Sequence, residues 1–247
     1  MLAIIGGSGF YALADDFKLE QTAASETPYG SSSAEILIGR WQNNDLLFLP
    51  RHGPGHRVPP HKINYRANIW ALKELGAGKI ISINAVGGIT ESFGPQTVVL
   101  PDQIIDYSSG RDTTFFDGAD GNVQHIDFSR PYSEELRQQI MQASVMADTR
   151  LENSATYACT NGPRLETAAE IQRLRRDGCD LVGMTGMPEA ALARELQIEY
   201  ASLSLVVNWA AGVSGREITM NEIMNNLSEG MGQIMKILAC FVKQVSP

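Results

Sequence analysis

The sequence predicts an α/β protein built on a central mixed β-sheet flanked by helices. Short apolar runs that suit buried strands alternate along the chain with segments of helical periodicity, as expected of an α/β domain. The 247 residues are 43% hydrophobic, so the chain can bury a large core. No linker, internal repeat or low-complexity tract interrupts this pattern, and we therefore expect residues 1–247 to form a single domain.

Residues 1–96 predict four strands and one helix. The strands are the apolar runs 2–5, 35–38, 45–49 and 79–83. An apolar stripe at helical spacing, ended by Gly76, predicts a helix over 65–75. Residues 21–34 are rich in Ser, Ala, Thr, Gly and Pro, which indicates a surface connection. Residues 84–88 contain two glycines, and we expect a junction between strand and loop there.

The rest of the chain predicts further strands and four helices. The strands are 97–100, 103–105, 155–159, 181–183 and 200–207, of which the last is apolar throughout and is expected to be central. The helices cover 134–146 and 167–177 and begin again at Pro188 and Thr219. Thr167 and Thr219 each stand three residues before a Glu, which is the pattern of a capping box. Residues 107–131 lack periodicity, which is typical of functional or interface loops.

Composition and charge limit the classes of partner and compartment. The formal net charge is -8, which argues against nucleic acid or an anionic membrane as a general partner. No apolar run approaches transmembrane length, and the N-terminus reads as a strand rather than as a secretory signal. Cys159, Cys179 and Cys240 are few and scattered, as in proteins that keep reduced thiols. We therefore expect a cytoplasmic protein.

Residues 51–62 form a loop in which basic side chains cluster. The loop follows an apolar strand, and its prolines and glycines exclude regular structure. It carries Arg51, His52, His56, His61 and Lys62, which suit an anion such as phosphate. A solvated basic loop is the plain alternative. A zinc site made by the three histidines is another, but no Cys or carboxylate lies near them in the sequence.

Polar or ligand-approachable groups follow four other predicted strands. They are Ser8, Asn84 with Ala85, Met184 with Thr185, and Asn208. Together with Arg51 and His52, hydroxyls and backbone amides at strand ends would form a phosphate cradle. The glycines around Ser8 match neither the dinucleotide fingerprint nor a Walker loop, so a tight turn without a ligand stays an alternative there.

Several motifs, taken in order, resemble one known family. They are Gly6-Gly7-Ser8-Gly9-Phe10-Tyr11, Arg51-His52-Gly53, the run from Lys62 to Leu72, Gly162-Pro163-Arg164 and the run from Met184 to Glu189. The sequence looks like the trimeric purine nucleoside phosphorylases, and within them it is most similar to the branch that includes 5′-methylthioadenosine phosphorylase. The resemblance extends from Met1 to about the last helix and implies the fold of that family.

The resemblance implies phosphorolysis, in which a nucleoside and inorganic phosphate give a free purine and a sugar 1-phosphate. It implies no metal and no organic cofactor, with phosphate as the co-substrate. It implies a homotrimer, with a hexamer as the alternative. By position, Ser8, Arg51, His52, the backbone amide of Ala85, and Thr185 would bind phosphate, and Met184 would pack on the sugar.

Two positions indicate which purine is bound. In methylthioadenosine phosphorylases two Asp residues read the base, whereas Asn208 and Ala210 stand at the matching positions here. An Asn can donate to O6 and accept from a protonated N7, which favours a 6-oxopurine. Glu166 matches a Glu that accepts from purine N1–H in inosine and guanosine phosphorylases. Its alternative role is that of a first-turn acid beside the Thr167 cap.

The residues expected at the 5′ end of the sugar favour a thioether. Inosine phosphorylases place a His near the start of the last helix, but the corresponding segment here has none. Met220 and Ile223 match apolar residues that contact the methylthio group in the methylthioadenosine branch, and such side chains suit sulfur. His125 matches a residue that a neighbouring subunit lends to the sugar pocket in that branch.

The resemblance therefore leads us to expect phosphorolysis of S-methyl-5′-thioinosine to hypoxanthine and 5-methylthioribose 1-phosphate. A general inosine/guanosine phosphorylase and a 5′-methylthioadenosine phosphorylase are the alternatives within the class. A non-catalytic nucleoside-binding protein and a nucleoside hydrolase are alternatives from other classes, and neither needs the phosphate-binding residues that the sequence retains.

Overall fold

A computed structural model describes residues 1–7, 17–23, 26–119 and 121–244. The strands are β1 (Leu2–Gly6), β2 (Lys18–Ala23), β3 (Glu26–Thr27), β4 (Gly30–Ser31), β5 (Ile36–Trp41), β6 (Asn44–Pro50), β7 (Lys79–Gly88), β8 (Val98–Val99), β9 (Gln103–Asp106), β10 (Thr156–Cys159), β11 (Leu181–Gly183) and β12 (Glu199–Trp209). The helices are α1 (Tyr65–Glu74), α2 (Glu134–Met146), α3 (Ala168–Arg176), α4 (Gly186–Glu195) and α5 (Met220–Gln244). The predicted α/β class with a mixed central sheet is confirmed.

Ten of these strands form one mixed sheet, and β3 pairs only with β4. The path of the sheet is β2-β5-β6-β1-β7-β11-β10-β9, with β12 pairing with β7 and β8. One apolar core cluster packs α2 and α5 against the sheet, and a second packs α1 and α4 against it. The sheet therefore lies between two layers of helices, and its strand ends are free to carry a site.

Strand β7 is the centre of this arrangement and has two unequal edges. β12 runs parallel to β7 along its whole length, from Lys79 to Gly88. The other edge pairs with β1 as far as Ser82 and with β11 only at Gly87 and Gly88. A strand has only two edges, so residues 83–86 form a gap between β1 and β11. Backbone groups in this gap are available to other partners.

The expected junction at 84–88 is wrong, because β7 continues through it. Pairing with β12 satisfies the backbone there, and the glycines serve close packing instead of a turn. A Cβ added at Gly88 would lie 2.0 Å from the carbonyl oxygen of Phe93. A Cβ added at Gly87 would lie 3.1 Å from Cγ1 of Val182.

The expected surface connection at 21–34 is also wrong in part. β2 extends to Ala23 and pairs with β5 at the edge of the sheet, but its side chains are mostly exposed, so no hydrophobic alternation marks it. β3 and β4 then form a two-stranded hairpin. The hydroxyl of Thr27 closes its turn by donating to the carbonyl of Gly30 at 2.7 Å.

The predicted helices are confirmed with small changes at their ends. Thr167 and Glu170 form the expected capping box of α3. Thr219 accepts a bond from the backbone N–H of Glu222 at the start of α5. α4 spans Gly186–Glu195, but Met187 has extended backbone angles (φ -118, ψ 142), so the regular helix begins at Pro188, as predicted. Within the described residues, none of the helices is long and apolar enough to cross a membrane.

Candidate active site

A cavity of about 310 Å³ opens at the strand ends around the gap in β7. Eleven residues are expected from the sequence to contact phosphate, base or sugar. Nine of them line this cavity: Arg51, His52, Ala85, Glu166, Met184, Thr185, Asn208, Met220 and Ile223. Ser8 lies outside the described residues. His125 is exposed and does not line the cavity of the single chain.

Arg51 is held rigidly at the floor of the cavity. It is 1% exposed and forms a two-point ion pair with Glu189, from Nε to Oε2 at 2.8 Å and from Nη2 to Oε1 at 2.9 Å. Its Nη1 donates to the carbonyl of Ile83 at 3.3 Å, inside the gap in β7. Burial lowers the pKa of Arg51, but the charge and hydrogen bonds of Glu189 outweigh burial and raise it overall. Arg51 therefore stays charged.

The gap also offers a backbone donor at Ala85. Residues two apart along a strand point their backbone groups to the same edge, so Ala85 faces the side on which Ile83 meets Arg51. Ala85 is exposed although its neighbours in β7 are buried. Its N–H is thus directed at the position where an anion would lie.

A chain of buried hydroxyl and amide groups fixes Thr185 on the other side of the gap. Thr185 Oγ1 donates to Asn84 Oδ1 at 2.9 Å, and Asn84 Nδ2 donates to Ser202 Oγ at 2.7 Å. Thr185 lies just before α4, and its hydroxyl faces this buried chain of groups instead of capping the helix. Arg51, Ala85 and Thr185 therefore surround one place suited to phosphate.

His52 lies beside that place as a neutral imidazole. Burial first, and then the charge of Arg51, lower its pKa to about 4. Nδ1 lies 2.9 Å from the carbonyl of Val58, which can only accept, so Nδ1 carries the proton. Nε2 is then an acceptor, and it can accept a hydrogen bond from hydrogen phosphate. The ring stacks on His56 at 4.1 Å between centroids.

Glu166 and Asn208 present hydrogen-bonding groups to the same cavity. Glu166 Oε1 accepts from the hydroxyl of Thr160 at 2.7 Å, which fixes the carboxylate and leaves Oε2 for a ligand. Asn208 is buried, and its Nδ2 donates to the carbonyl of Trp209 at 2.7 Å. That bond fixes the orientation of the amide, which keeps a second N–H and Oδ1 for a ligand.

One face of α5 supplies the apolar wall of the cavity. Met220, Ile223, Leu227 and Met231 recur at helical spacing and all line it. Met220 is 65% exposed in the single chain, so it lies at the mouth. Met184 lines the cavity from the loop after β11. The only histidines among the described lining residues are His52 and His56.

The histidines of the basic loop do not gather around a common point. His52 and His56 are stacked, whereas His61 is exposed on a separate 3₁₀ turn, Pro60–Lys62. In the part of the chain that the structure describes, no group of three His, Cys, Asp or Glu residues is placed to hold a metal ion.

Residues 1–243 match the family described as the phosphorylase superfamily. The chain belongs to this superfamily. A protein of Pseudomonas syringae pv. tomato named probable S-methyl-5′-thioinosine phosphorylase is 54% identical over 237 residues, which cover 96% of each chain. A Pyrococcus furiosus protein named 6-oxopurine nucleoside phosphorylase is 44% identical over 242 residues, which cover 96% of this chain and 90% of the relative.

The solved structures agree with the sequence relatives. Methylthioadenosine phosphorylase from Schistosoma mansoni, in complex with adenine, superposes with a TM-score of 0.92 at 30% identity over 99% of this chain and 91% of its own. The resemblance read from the motifs is therefore confirmed, and this member of the superfamily is an enzyme of the purine nucleoside phosphorylase type.

Sequence reasoning missed two groups that shape the site. Glu189, the partner of Arg51, lies 138 residues away in the chain and resembles an ordinary first-turn acid of α4. Arg111 stands in the long segment 107–131, where no periodicity marks it. The only signal for Glu189 was its place in the motif that begins at Met184.

Proposed function

We propose that this enzyme catalyses phosphorolysis of S-methyl-5′-thioinosine to hypoxanthine and 5-methylthioribose 1-phosphate. The observation that carries the proposal is that one cavity has a hydrogen-bonding wall and an apolar wall. Glu166 and Asn208 offer hydrogen bonds matched to a 6-oxopurine, whereas the α5 face offers only apolar side chains. The names of the Pseudomonas syringae and Pyrococcus furiosus relatives support a 6-oxopurine.

In the proposed reaction, the bond between C1′ of the sugar and N9 of the purine breaks, and its electron pair passes to the purine. An oxygen of hydrogen phosphate forms the new bond to C1′, and the proton that the phosphate loses is taken up by the purine, which leaves as neutral hypoxanthine. Arg51, the Ala85 amide and Thr185 hold the phosphate, and Ser8 belongs to this set by position. Inorganic phosphate is the co-substrate, and the proposal requires no metal or organic cofactor. Orientation and preorganised charge supply the rate enhancement.

At the base, Glu166 accepts from N1–H, which only a 6-oxopurine carries. The free N–H of Asn208 donates to O6, and its Oδ1 accepts from a protonated N7. An adenine would place an unprotonated N1 against Glu166 and would leave buried groups unpaired, at a cost of about 1–3 kcal/mol for each. This mismatch argues against the adenine-type activity in the name of the Schistosoma mansoni enzyme.

At the sugar, Met184 packs on the ribose, and Met220 and Ile223 enclose the methylthio group. A 5′-hydroxyl placed there would give up its hydrogen bonds to water, and the apolar side chains of α5 would offer no donor or acceptor in their place. Because Met220 is partly open and His125 is exposed, we include in the proposal a homotrimer in which a neighbouring subunit closes the mouth with His125. We place this assembly in the cytoplasm.

Phosphate-dependent release of hypoxanthine from S-methyl-5′-thioinosine tests the proposal. We expect turnover only with phosphate present, and formation of one sugar 1-phosphate for each hypoxanthine. Binding without turnover would indicate a nucleoside-binding protein, and equal release without phosphate would indicate a hydrolase. Light scattering of the same preparation tests the trimer, with a hexamer or monomer as the contrary results.

A further inference from the structure

The long segment 107–131 is firmly attached to the body of the protein in its first part. Arg66 of α1 pairs with Asp112, from Nη2 to Oδ2 at 2.7 Å. Glu195 accepts from the hydroxyl of Thr114 at 2.6 Å and from the backbone N–H of Phe115 at 2.8 Å. Residues 111–117 therefore form a strap that is tied to α1 and α4.

Arg111 extends from this strap and binds two loops of the site. Its Nη2 donates to the carbonyls of Thr160 at 3.1 Å, Asn161 at 3.2 Å and Met184 at 2.9 Å. Its Nη1 donates to the carbonyl of Met187 and to the hydroxyl of Tyr65. Four backbone carbonyls, two from the loop after β10 and two from the segment 184–187 that leads into α4, thus converge on one guanidinium, whose planar fork suits such a task.

These two loops carry residues that face the nucleoside. Thr160 holds Glu166 through its hydroxyl, and Met184 lines the cavity directly. The two loops are also in contact, because a Cβ at Gly162 would lie 2.4 Å from the sulfur of Met184. A shift of either loop would therefore move Glu166 or Met184 relative to the substrate.

Carbonyl groups, and not a carboxylate, compensate the charge of Arg111. Among the described residues, Arg111 has no ion pair with a carboxylate, whereas Arg51 pairs with one carboxylate and Arg66 with two. A lysine would keep the charge but would present its donors from a single nitrogen. It could not bridge the same four carbonyls.

We propose that Arg111 is a positioning residue that sets the distance between the base-reading loop and the sugar-contacting loop. The phosphate side has an anchor of its own, since Thr185 is tied to Asn84 and Asn84 to Ser202. Loss of Arg111 is therefore expected to disturb nucleoside binding and leave phosphate binding intact. The inference rests on the proposed function only for the identity of the nucleoside.

The test compares Arg111→Lys and Arg111→Met with Arg66→Met. Arg66 holds the same strap from the side of α1 and does not line the cavity. Full kinetics are measured with phosphate and with the nucleoside that the wild-type enzyme uses best, so a wrong substrate proposal leaves this test valid. Thermal unfolding of each variant is measured in parallel.

Both Arg111 variants are expected to raise the nucleoside KM at least tenfold and to lower kcat by about 10- to 100-fold, since a displacement of about 1 Å can cost that much. The phosphate KM is expected to stay within about twofold of the wild-type value. Arg66→Met is expected to lower the melting temperature while leaving both KM values unchanged.

A purely structural role predicts a different result, because a smaller folded fraction lowers kcat and leaves both KM values unchanged. That result, or an equal rise in both KM values, would overturn the proposal. If Arg111→Met does not fold, Arg111→Lys decides alone, and a nucleoside KM within twofold of the wild-type value would refute the role.

Discussion

Arg51 and Glu189 form a two-point ion pair beneath the cavity, with N–O distances of 2.8 and 2.9 Å and both side chains almost fully buried. Glu189 Oε1 also accepts from the hydroxyl of Tyr200 at 2.8 Å. The carboxylate of Glu189 thus balances the charge of Arg51 and fixes the direction of its guanidinium. A phosphate that enters the site meets an arginine already oriented and already partly neutralised.

Glu189→Gln is expected to destabilise the enzyme by about 3 kcal/mol, because it leaves the Arg51 charge buried without its counter-ion. Phosphate would then supply the missing negative charge. We therefore predict that saturating phosphate raises the melting temperature of this variant more than that of the wild-type enzyme. Chloride at matched ionic strength is the control, and an equal phosphate-induced shift in both proteins would contradict the prediction.

The low pKa of His52, about 4, predicts a loss of stability in acid. The unfolded histidine takes up a proton near pH 6.5, before the folded one does, so stability falls as pH drops from about 6.5 toward about 4. The loss reaches about 3 kcal/mol at the lower end of this window.

Denaturant unfolding between pH 4 and 8 measures this dependence. His52→Gln should flatten the curve in that window, whereas His61→Gln, which changes an exposed histidine, should leave it unchanged. Parallel curves for His52→Gln and the wild-type enzyme would rule out His52 as the source.

Asn208→Asp is expected to move the base preference toward 6-aminopurines. The carboxylate repels O6 and accepts from a 6-amino group, and it also loses the bond to the Trp209 carbonyl. The ratio of kcat/KM for methylthioinosine to that for methylthioadenosine should fall at least tenfold. Asn153→Asp makes the same charge change at an exposed position. An unchanged ratio for Asn208→Asp would mean that this residue does not read the base.

Thr160→Val removes the hydroxyl that holds Glu166. A hydrogen bond to a charged group contributes about 1.5–3 kcal/mol, so kcat/KM for 6-oxopurine nucleosides should fall about tenfold or more. Thr90→Val is a matched control, since Thr90 donates to Asp180 at 2.6 Å and does not line the cavity. Equal losses of kcat/KM in the two variants would contradict a specific role for Thr160.

Local sequence signals were sufficient for most helices and strands. Thr167 and Thr219 mark helix starts because the bonds that their hydroxyls accept are made within one turn. The end of β7 could not be read in the same way. Its last residues are strand only because β12, more than a hundred residues later, pairs with them. Glycines that serve close packing look, in a sequence, like glycines that form turns.

The residues of the site also fall into those that local sequence predicts and those that depend on distant partners. Arg51, His52 and Thr185 follow strands that are visible in the sequence, and Asn208 lies in the last residues of β12, so their convergence could be anticipated. Glu189 and Arg111 act through partners that are distant in the chain, and no local pattern predicts such pairs. The partial exposure of Met220 likewise depends on what covers the mouth of the cavity.

One comparison tests the central claim most directly: kcat/KM of the wild-type enzyme for S-methyl-5′-thioinosine, inosine and 5′-methylthioadenosine at saturating phosphate. We predict that methylthioinosine exceeds each of the others by at least tenfold, since each rival mismatches one wall of the cavity. Preference for methylthioadenosine would contradict the roles of Glu166 and Asn208. Preference for inosine would contradict the role of the apolar face of α5.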